Sequence, residues 1–220
     1  MPDTKNTFNS IAKVYDRINN IISLGKHKKW KKDFVTKSNM NGKILDIATG
    51  TGDIIRLIKK KYPVSECYGL DPSQNMLKIA KEKSQNINFL KGYAENIPFE
   101  NKMFDYVTIS FGIRNTKSIE KSLKEIHRVL KDNKYLYIME FSRNENPIMK
   151  LITNIYLFLF IPLVGLLFGK FKEYFYLSSS INKFFTPKEF NELLSKNNFK
   201  VLETKSFNLG IVTIYIAAKI

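Results

Sequence analysis

The chain of 220 residues carries a formal net charge of +16, with 31 lysines and five arginines against 20 acids. That length suits one α/β domain with a full core, and that charge suits an anionic partner (lipid surface, nucleic acid or phosphorylated substrate) unless it is only a solvated basic coat. A single cysteine, Cys67, excludes an internal disulfide framework, and without a Cys/His cluster no structural zinc site is expected.

Residues 1–40 place Phe8, Ile11, Ile18 and Ile22, among other apolar residues, at spacings of three and four, the pattern of amphipathic helices packed on a body. The string His27-Lys28-Lys29-Trp30-Lys31-Lys32 gathers charge around one tryptophan. Trp30 reads as a core anchor or a membrane-interface residue, and His27 as a surface or capping histidine or as a functional one beside the core. No apolar core precedes a small-residue cleavage site in the first 30 residues, so a secretory signal is not expected and a cytoplasmic location is.

From 43 to 142, strands alternate with helices. Ile44 to Ile47 is an apolar run containing Asp46, followed by Thr49-Gly50-Thr51-Gly52 and a helix over Ile54 to Ile58. A second strand, Val64 to Leu70, ends in Asp71-Pro72. Ser73 is the expected N-cap of a helix to Lys83. A third strand over Ile87 to Gly92 leads into a loop around Pro98, and a fourth, Phe104 to Ser110, runs into Phe111-Gly112-Ile113-Arg114-Asn115. A helix over Ser118 to Leu130 and a fifth strand over Tyr135 to Phe141 complete the unit. This alternation predicts a parallel sheet covered on both faces.

Residues 143–185 break the rhythm. After the linker Asn144-Glu145-Asn146-Pro147, the 19 residues from Leu151 to Gly169 carry no charge, a marginal length for a membrane span. Pro162, Gly165 and Gly169 interrupt the run, and the chain must return to finish the sheet. A helical flap over an apolar pocket, resting on a membrane, is therefore expected. Lys170, Lys172, Glu173, Tyr174 and Tyr176 follow as a basic-aromatic rim. In residues 186–220, Thr186 caps a helix opened by Pro187. Lys200 to Ser206 and Ile211 to Ala217 are expected to close the sheet as an antiparallel hairpin turning at Asn208-Leu209-Gly210.

The strand–glycine loop–helix order at Lys43 to Asp53 is that of a nucleotide-type site. Here, however, G-T-G-D-I-I lacks the third glycine of the dinucleotide fingerprint. Asp46 and Asp53 would repel a pyrophosphate, whereas a sulfonium cation with an amine would be welcome beside them. The pattern points to S-adenosyl-L-methionine. Gly50, Thr51 and Gly52 form its cradle, Asp71 takes the ribose hydroxyls, Tyr93 and Ala94 flank the adenine, and Ser110 closes the methyl-donor end. Asp46 also has a plain reading as the cap of a neighbouring turn, and Asp53 as a first-turn acid favoured by the helix dipole.

The strings I-L-D-I-A-T-G-T-G-D, G-L-D-P-S-Q-N-M-L and H-R-V-L-K-D resemble the core of class I S-adenosylmethionine methyltransferases. Val14 to Gly25 followed by H-K-K-W, T-I-S-F-G-I-R-N (Thr108 to Asn115) and Lys172 to Ser180 resemble one family more narrowly, the menaquinone/ubiquinone-biosynthesis C-methyltransferases. The resemblance runs from about Phe8 to Ala218. It implies a Rossmann-like sheet of seven strands, mostly parallel with the last antiparallel, in one domain. It further implies C-methylation of a polyprenylated demethylmenaquinol, or of the ubiquinone precursor, without a metal; a methyltransferase acting on nucleic acid or another lipid is the remaining alternative. Arg114, Asn115, Tyr15 and His27 become candidate catalytic residues, with Asp16 and Tyr176 beside them. Arg114 would be an oxyanion partner, or else an ordinary ion-pair residue. The partners implied are a lipid quinol and the anionic inner face of a membrane, with no nucleic acid and with a homodimer as an option.

Overall fold

The computed structural model describes residues 4–36, 39–144, 146–207 and 210–220. Its seven strands are β1 (Lys43–Ile47), β2 (Glu66–Asp71), β3 (Asn88–Lys91), β4 (Phe104–Ser110), β5 (Leu130–Phe141), β6 (Phe199–Phe207) and β7 (Val212–Lys219). They form one sheet in the order β3-β2-β1-β4-β5-β7-β6, with β7 antiparallel to both of its neighbours and the other pairings parallel. The order reverses between β1 and β4, and the crevice beyond the strand ends at such a switch point is where this architecture binds ligands.

Ile44, Leu45, Asp46 and Ile47 are all buried, as a strand covered on both faces requires. One face carries α4 (Asp53–Lys61) and α5 (Gln74–Lys83); the other carries α6 (Ile119–Val129) and the late helix α9 (Pro187–Lys196). Ser73 Oγ accepts from Met76 N at 3.2 Å, the cap expected of it, and Ser118 Oγ caps α6 in the same way, accepting from Lys121 N at 3.2 Å. Thr186 and Glu189 form a capping box, with Glu189 N donating to Thr186 Oγ1 (3.3 Å) and Thr186 N to Glu189 Oε2 (2.8 Å). The expected hairpin is present, although Asn208 and Leu209 lie outside the described residues, as does Glu145 of the linker.

The fifth strand starts earlier than its apolar run. Leu130 already pairs with Phe104, and a bulge between Phe104 and Tyr106, with Asn133 at φ +58°, takes the place of a turn.

The insertion also departs from expectation. Pro147–Leu167 is one helical run, α7, of 21 residues, long and apolar enough by composition to cross a membrane. A π turn at Tyr156–Phe160 lies in its middle, and Pro162, just past that turn, does not break the run. Gly165 is a point of close approach. A Cβ there would lie 2.7 Å from Cβ of Tyr174 on α8 (Phe171–Asn182), so the two helices meet almost backbone to backbone. Tyr174, expected at a surface rim, is buried by that contact.

Leu157, Ile161 and Val164 of α7 pack with Ile11, Ile18 and Ile22 of the N-terminal helices α1 (Thr4–Ile11) and α2 (Tyr15–Ile22). Each such side chain contributes about 1.5–3 kcal/mol on full burial. This lobe sits over the strand ends. Ser73 Oγ donates to Asn9 Oδ1 at 2.6 Å, and Thr51 Oγ1 to Asp16 Oδ1 at 3.0 Å. The opposite side of α7 stays bare: Leu151, Ile155, Leu159, Leu163 and Leu166 are all exposed.

Candidate active site

The loop after β1 turns on left-handed residues, Ala48 at φ +52°, Gly50 at +56° and Gly52 at +80°. Asp46 holds it from beneath, accepting from Thr49 Oγ1 and Thr108 Oγ1 at 2.6 Å each. Burial pushes the Asp46 carboxyl up to about 7 against those two hydroxyls. Asp46 therefore shapes the loop from beneath and is not among the residues lining the cavity beside it. Gly50 N donates to Asp71 Oδ2 and Ser73 N to Asp71 Oδ1, both at 2.8 Å. Burial raises Asp71 to about 6 in spite of these bonds.

A Cβ built on Gly50 would meet nothing within 4 Å, because that face of the loop opens into a cavity of about 1090 Å³. Gly50, Asp71, Tyr93, Ala94 and Ser110 all line it. Ser110 Oγ is buried there without a hydrogen-bond partner among the described residues. Tyr93 is partly exposed, with the Lys117 ammonium 5.9 Å from its ring centre. Thr51 and Gly52 are turned elsewhere, Thr51 to Asp16 and Gly52 onto Ala80 and Phe89 at the start of α4. Asp53 accepts from Lys31 Nζ at 2.8 Å and from Arg56. Burial would raise it, but those two cations outweigh burial and hold it below the usual carboxylate range. Its charge answers protein cations, not the cavity.

A second cavity, of about 430 Å³, lies between α2, α3 (Lys26–Thr36) and α7. Ile22, Trp30, Ile152, Leu157 and Ile161 give it an apolar lining, and His27 opens onto it, not onto the larger cavity. Burial, helped by Lys31, lowers the His27 pKa. Phe8, Tyr15, Phe111, Arg114, Asn115 and Tyr176 line both cavities and form the wall between them.

Arg114 stands in that wall on a single 3-10 turn, Ile113–Asn115. It pairs with Glu140, donates to Phe111 O at 2.9 Å and to Ser180 Oγ at 3.3 Å, and lies 5.2 Å from the Phe141 ring centre. Glu140 is fully buried and its Oε2 has no hydrogen-bond partner among the described residues. Burial raises the Glu140 carboxyl and Arg114 pulls it back. Tyr176 Oη donates to Asn115 Oδ1 at 3.3 Å. Burial raises the Tyr15 hydroxyl, against the nearby Lys31 and Arg114. Tyr15, Arg114 and Asn115 thus meet at one place, and His27 lies behind them in the second cavity. Glu140 and Lys31 escaped the sequence reading. An acid inside the apolar run Leu136 to Phe141 was the available signal for the first; Lys31 was hidden in a lysine run.

The model of the ubiE/COQ5 methyltransferase family matches residues 3–219. The chain belongs to this family. A ubiquinone/menaquinone biosynthesis C-methyltransferase of Rickettsia prowazekii is 39% identical over 227 residues, covering 98% of this chain and 92% of the relative. A demethylmenaquinone methyltransferase of Thermotoga maritima is 40% identical over 199 residues, covering 88% and 86%. Among solved structures, a possible histamine N-methyltransferase of Thermotoga maritima superposes with a TM-score of 0.68 at 22% identity, covering 98% of this chain and 99% of that one. The [4+2]-cyclase SpnF reaches 0.72 at 13% identity, covering 98% and 94%. These two show the fold alone.

S-adenosylmethionine is the co-substrate that membership supports, and the methyltransferase's larger cavity fits it. The open face of Gly50, the acceptor oxygens of Asp71 and the unpartnered Ser110 hydroxyl are the polar features such a ligand would engage. Among the described residues no group of three His, Cys, Asp or Glu side chains is placed to hold a metal ion.

Proposed function

We propose that this methyltransferase transfers a methyl group to a ring carbon of a polyprenylated demethylmenaquinol, giving the menaquinol. The observation that carries this reading is the shared wall: a polar cavity beside the glycine loop and an apolar cavity beside α7 meet at Tyr15, Arg114, Asn115 and Tyr176. S-adenosylmethionine supplies a methyl group already activated by its sulfonium. The protein has to present a nucleophilic carbon in line with it and exclude water. A quinol ring in the apolar cavity gains nucleophilicity as a ring hydroxyl loses its proton. Arg114, fixed by Glu140, puts a positive charge where the ring oxygen becomes negative.

The exposed ridge of α7, from Leu151 to Leu166, has a use in the same reading. An isoprenoid tail resides in a bilayer, and Ile152, Tyr156 and Leu157 line the cavity from the helix that carries the ridge. The ridge lying in a membrane surface, with lysines against anionic headgroups at about 1 kcal/mol each, would place the protein peripherally on the cytoplasmic face. A full span is disfavoured, because β6 and β7, which follow α7, pair into the same sheet as β5, which precedes it.

One relative's name covers ubiquinone as well as menaquinone biosynthesis, which supports a second candidate substrate, the ubiquinone precursor 2-polyprenyl-6-methoxy-1,4-benzoquinol. A competition assay separates the two. With both reduced quinols present at equal concentration, methyl label should appear first in the naphthoquinol. Exclusive labelling of the benzoquinol would overturn the menaquinol assignment.

A further inference from the structure

His27 and Ser23 form a pair whose protons are fixed by their neighbours. Ser23 Oγ lies 2.6 Å from the carbonyl oxygen of Asn19 and 2.7 Å from His27 Nδ1. Two oxygens at 2.6 Å need a proton between them, and the serine hydroxyl has only one. That proton is directed to Asn19, so Ser23 Oγ can only accept from His27, and Nδ1 must carry a hydrogen. The neutral ring is then left with its lone pair on Nε2, which has no hydrogen-bond partner among the described residues. The ring lines the apolar cavity, which also holds Tyr15 and Arg114 of the shared wall.

We infer that His27 Nε2 is the base that takes the proton from the quinol's ring hydroxyl, and that Ser23 is the positioning residue that keeps Nε2 unprotonated. The inference rests on the quinol reading above. His27 accepts the hydroxyl proton and becomes imidazolium, with its Nδ1–H still held by Ser23. The electron pair of the O–H bond stays on oxygen and is delocalised to the ring carbon. That carbon bonds the methyl group while the C–S pair remains on sulfur, and its own hydrogen leaves to water. His27 then returns its proton to the oxygen, so one proton is released in all. A neutral histidine suits this task, and burial beside Lys31 keeps it neutral. Lys28, also on α3, acts in the same direction, whereas Asp16 of α2 and Asp53 of α4 act against it.

The test needs two variants and one measurement without turnover. His27→Asn keeps an N–H for Ser23 and removes the base, and kcat should fall about 100-fold or more with quinol KM changed less than about threefold. Ser23→Ala should lower kcat about tenfold at unchanged KM, since the ring can then adopt the other tautomer. The chain has only two histidines, so nitrogen-detected NMR of the ring resonances, with His127→Gln for assignment, reads the tautomer directly. His27 should be protonated at Nδ1 in the wild type and should shift toward the Nε2–H form in Ser23→Ala. A wild-type Nε2–H tautomer, or a His27→Asn variant with kcat within about threefold of wild type, would overturn the proposal alone. Absence of methyl transfer to any quinol by the wild type would overturn the quinol reading and this proposal with it.

Discussion

Arg114, in the wall shared by the two cavities, forms a buried ion pair with Glu140 behind it, the side chains being 3% and 0% exposed. Both charges are almost wholly shielded from water, so each depends on the other. Removing one partner leaves an uncompensated buried charge, which typically costs about 3–5 kcal/mol. Arg114→Met and Glu140→Leu should each lose about that much in urea denaturation. The double variant should be more stable than the sum of the two losses implies, by about 2 kcal/mol. Strictly additive losses would show that the two residues do not act as a pair.

Gly50 offers a cleaner separation of binding from folding. An added Cβ there meets no protein atom within 4 Å, but the residue sits at φ +56° and faces the larger cavity. Gly50→Ala should therefore cost only about 1–2 kcal/mol of stability, from the left-handed conformation. S-adenosylmethionine affinity, measured by calorimetry, should fall by a larger factor, about tenfold or more beyond that strain, because the methyl enters the space the ligand needs. Unchanged affinity would place the ligand away from the loop.

The pH dependence of cofactor binding follows from Asp71. Its carboxyl titrates at about 6, raised by burial above the ordinary 3.8. Above that pH it is ionised, and both oxygens keep lone pairs for ribose hydroxyls; below it, one oxygen carries a proton and that acceptor capacity is lost. Affinity should be constant from pH 7 upward and should weaken as pH falls through about 6. Asp71→Asn should bind more weakly at every pH and lose this limb of the profile. A wild-type profile flat from pH 5 to 8 would contradict the assignment of Asp71.

The bare ridge of α7 gives a prediction about location. Leu159 and Leu163 are 67% and 53% exposed and lie one turn apart on the side away from Leu157 and Ile161. Leu159→Glu with Leu163→Glu should leave the melting temperature within a few degrees of wild type, since neither side chain is in the core. The same double change should abolish flotation with vesicles of anionic lipid. Flotation equal to wild type would exclude the ridge as the membrane contact.

Much of the fold was legible because its signals are local. Apolar runs of strand length, Ser73 and Thr186 as caps, and Asp71 at a strand end all follow from the chemistry of one short segment. The π turn and the continuous α7 were not, because whether Pro162 and Gly165 break a helix depends on what packs against them, here Tyr174 and the N-terminal helices. Within the site, residue type pointed to Asp46 and Asp53, but their partners decided their roles. Two threonine hydroxyls draw Asp46 beneath the loop, and Lys31 and Arg56 claim Asp53. Glu140 was hidden for the complementary reason: its partner is 26 positions away and only the sheet brings the two together.

The most direct test of the central claim is where the methyl group goes. The purified protein, methyl-labelled S-adenosylmethionine and reduced demethylmenaquinone should be incubated in anionic lipid vesicles, and the extracted lipid examined by mass spectrometry. Label on the ring carbon of the naphthoquinol, lost in Arg114→Met, is the expected result. Label in added RNA or phospholipid instead of the quinol, or no transfer at all, would contradict it.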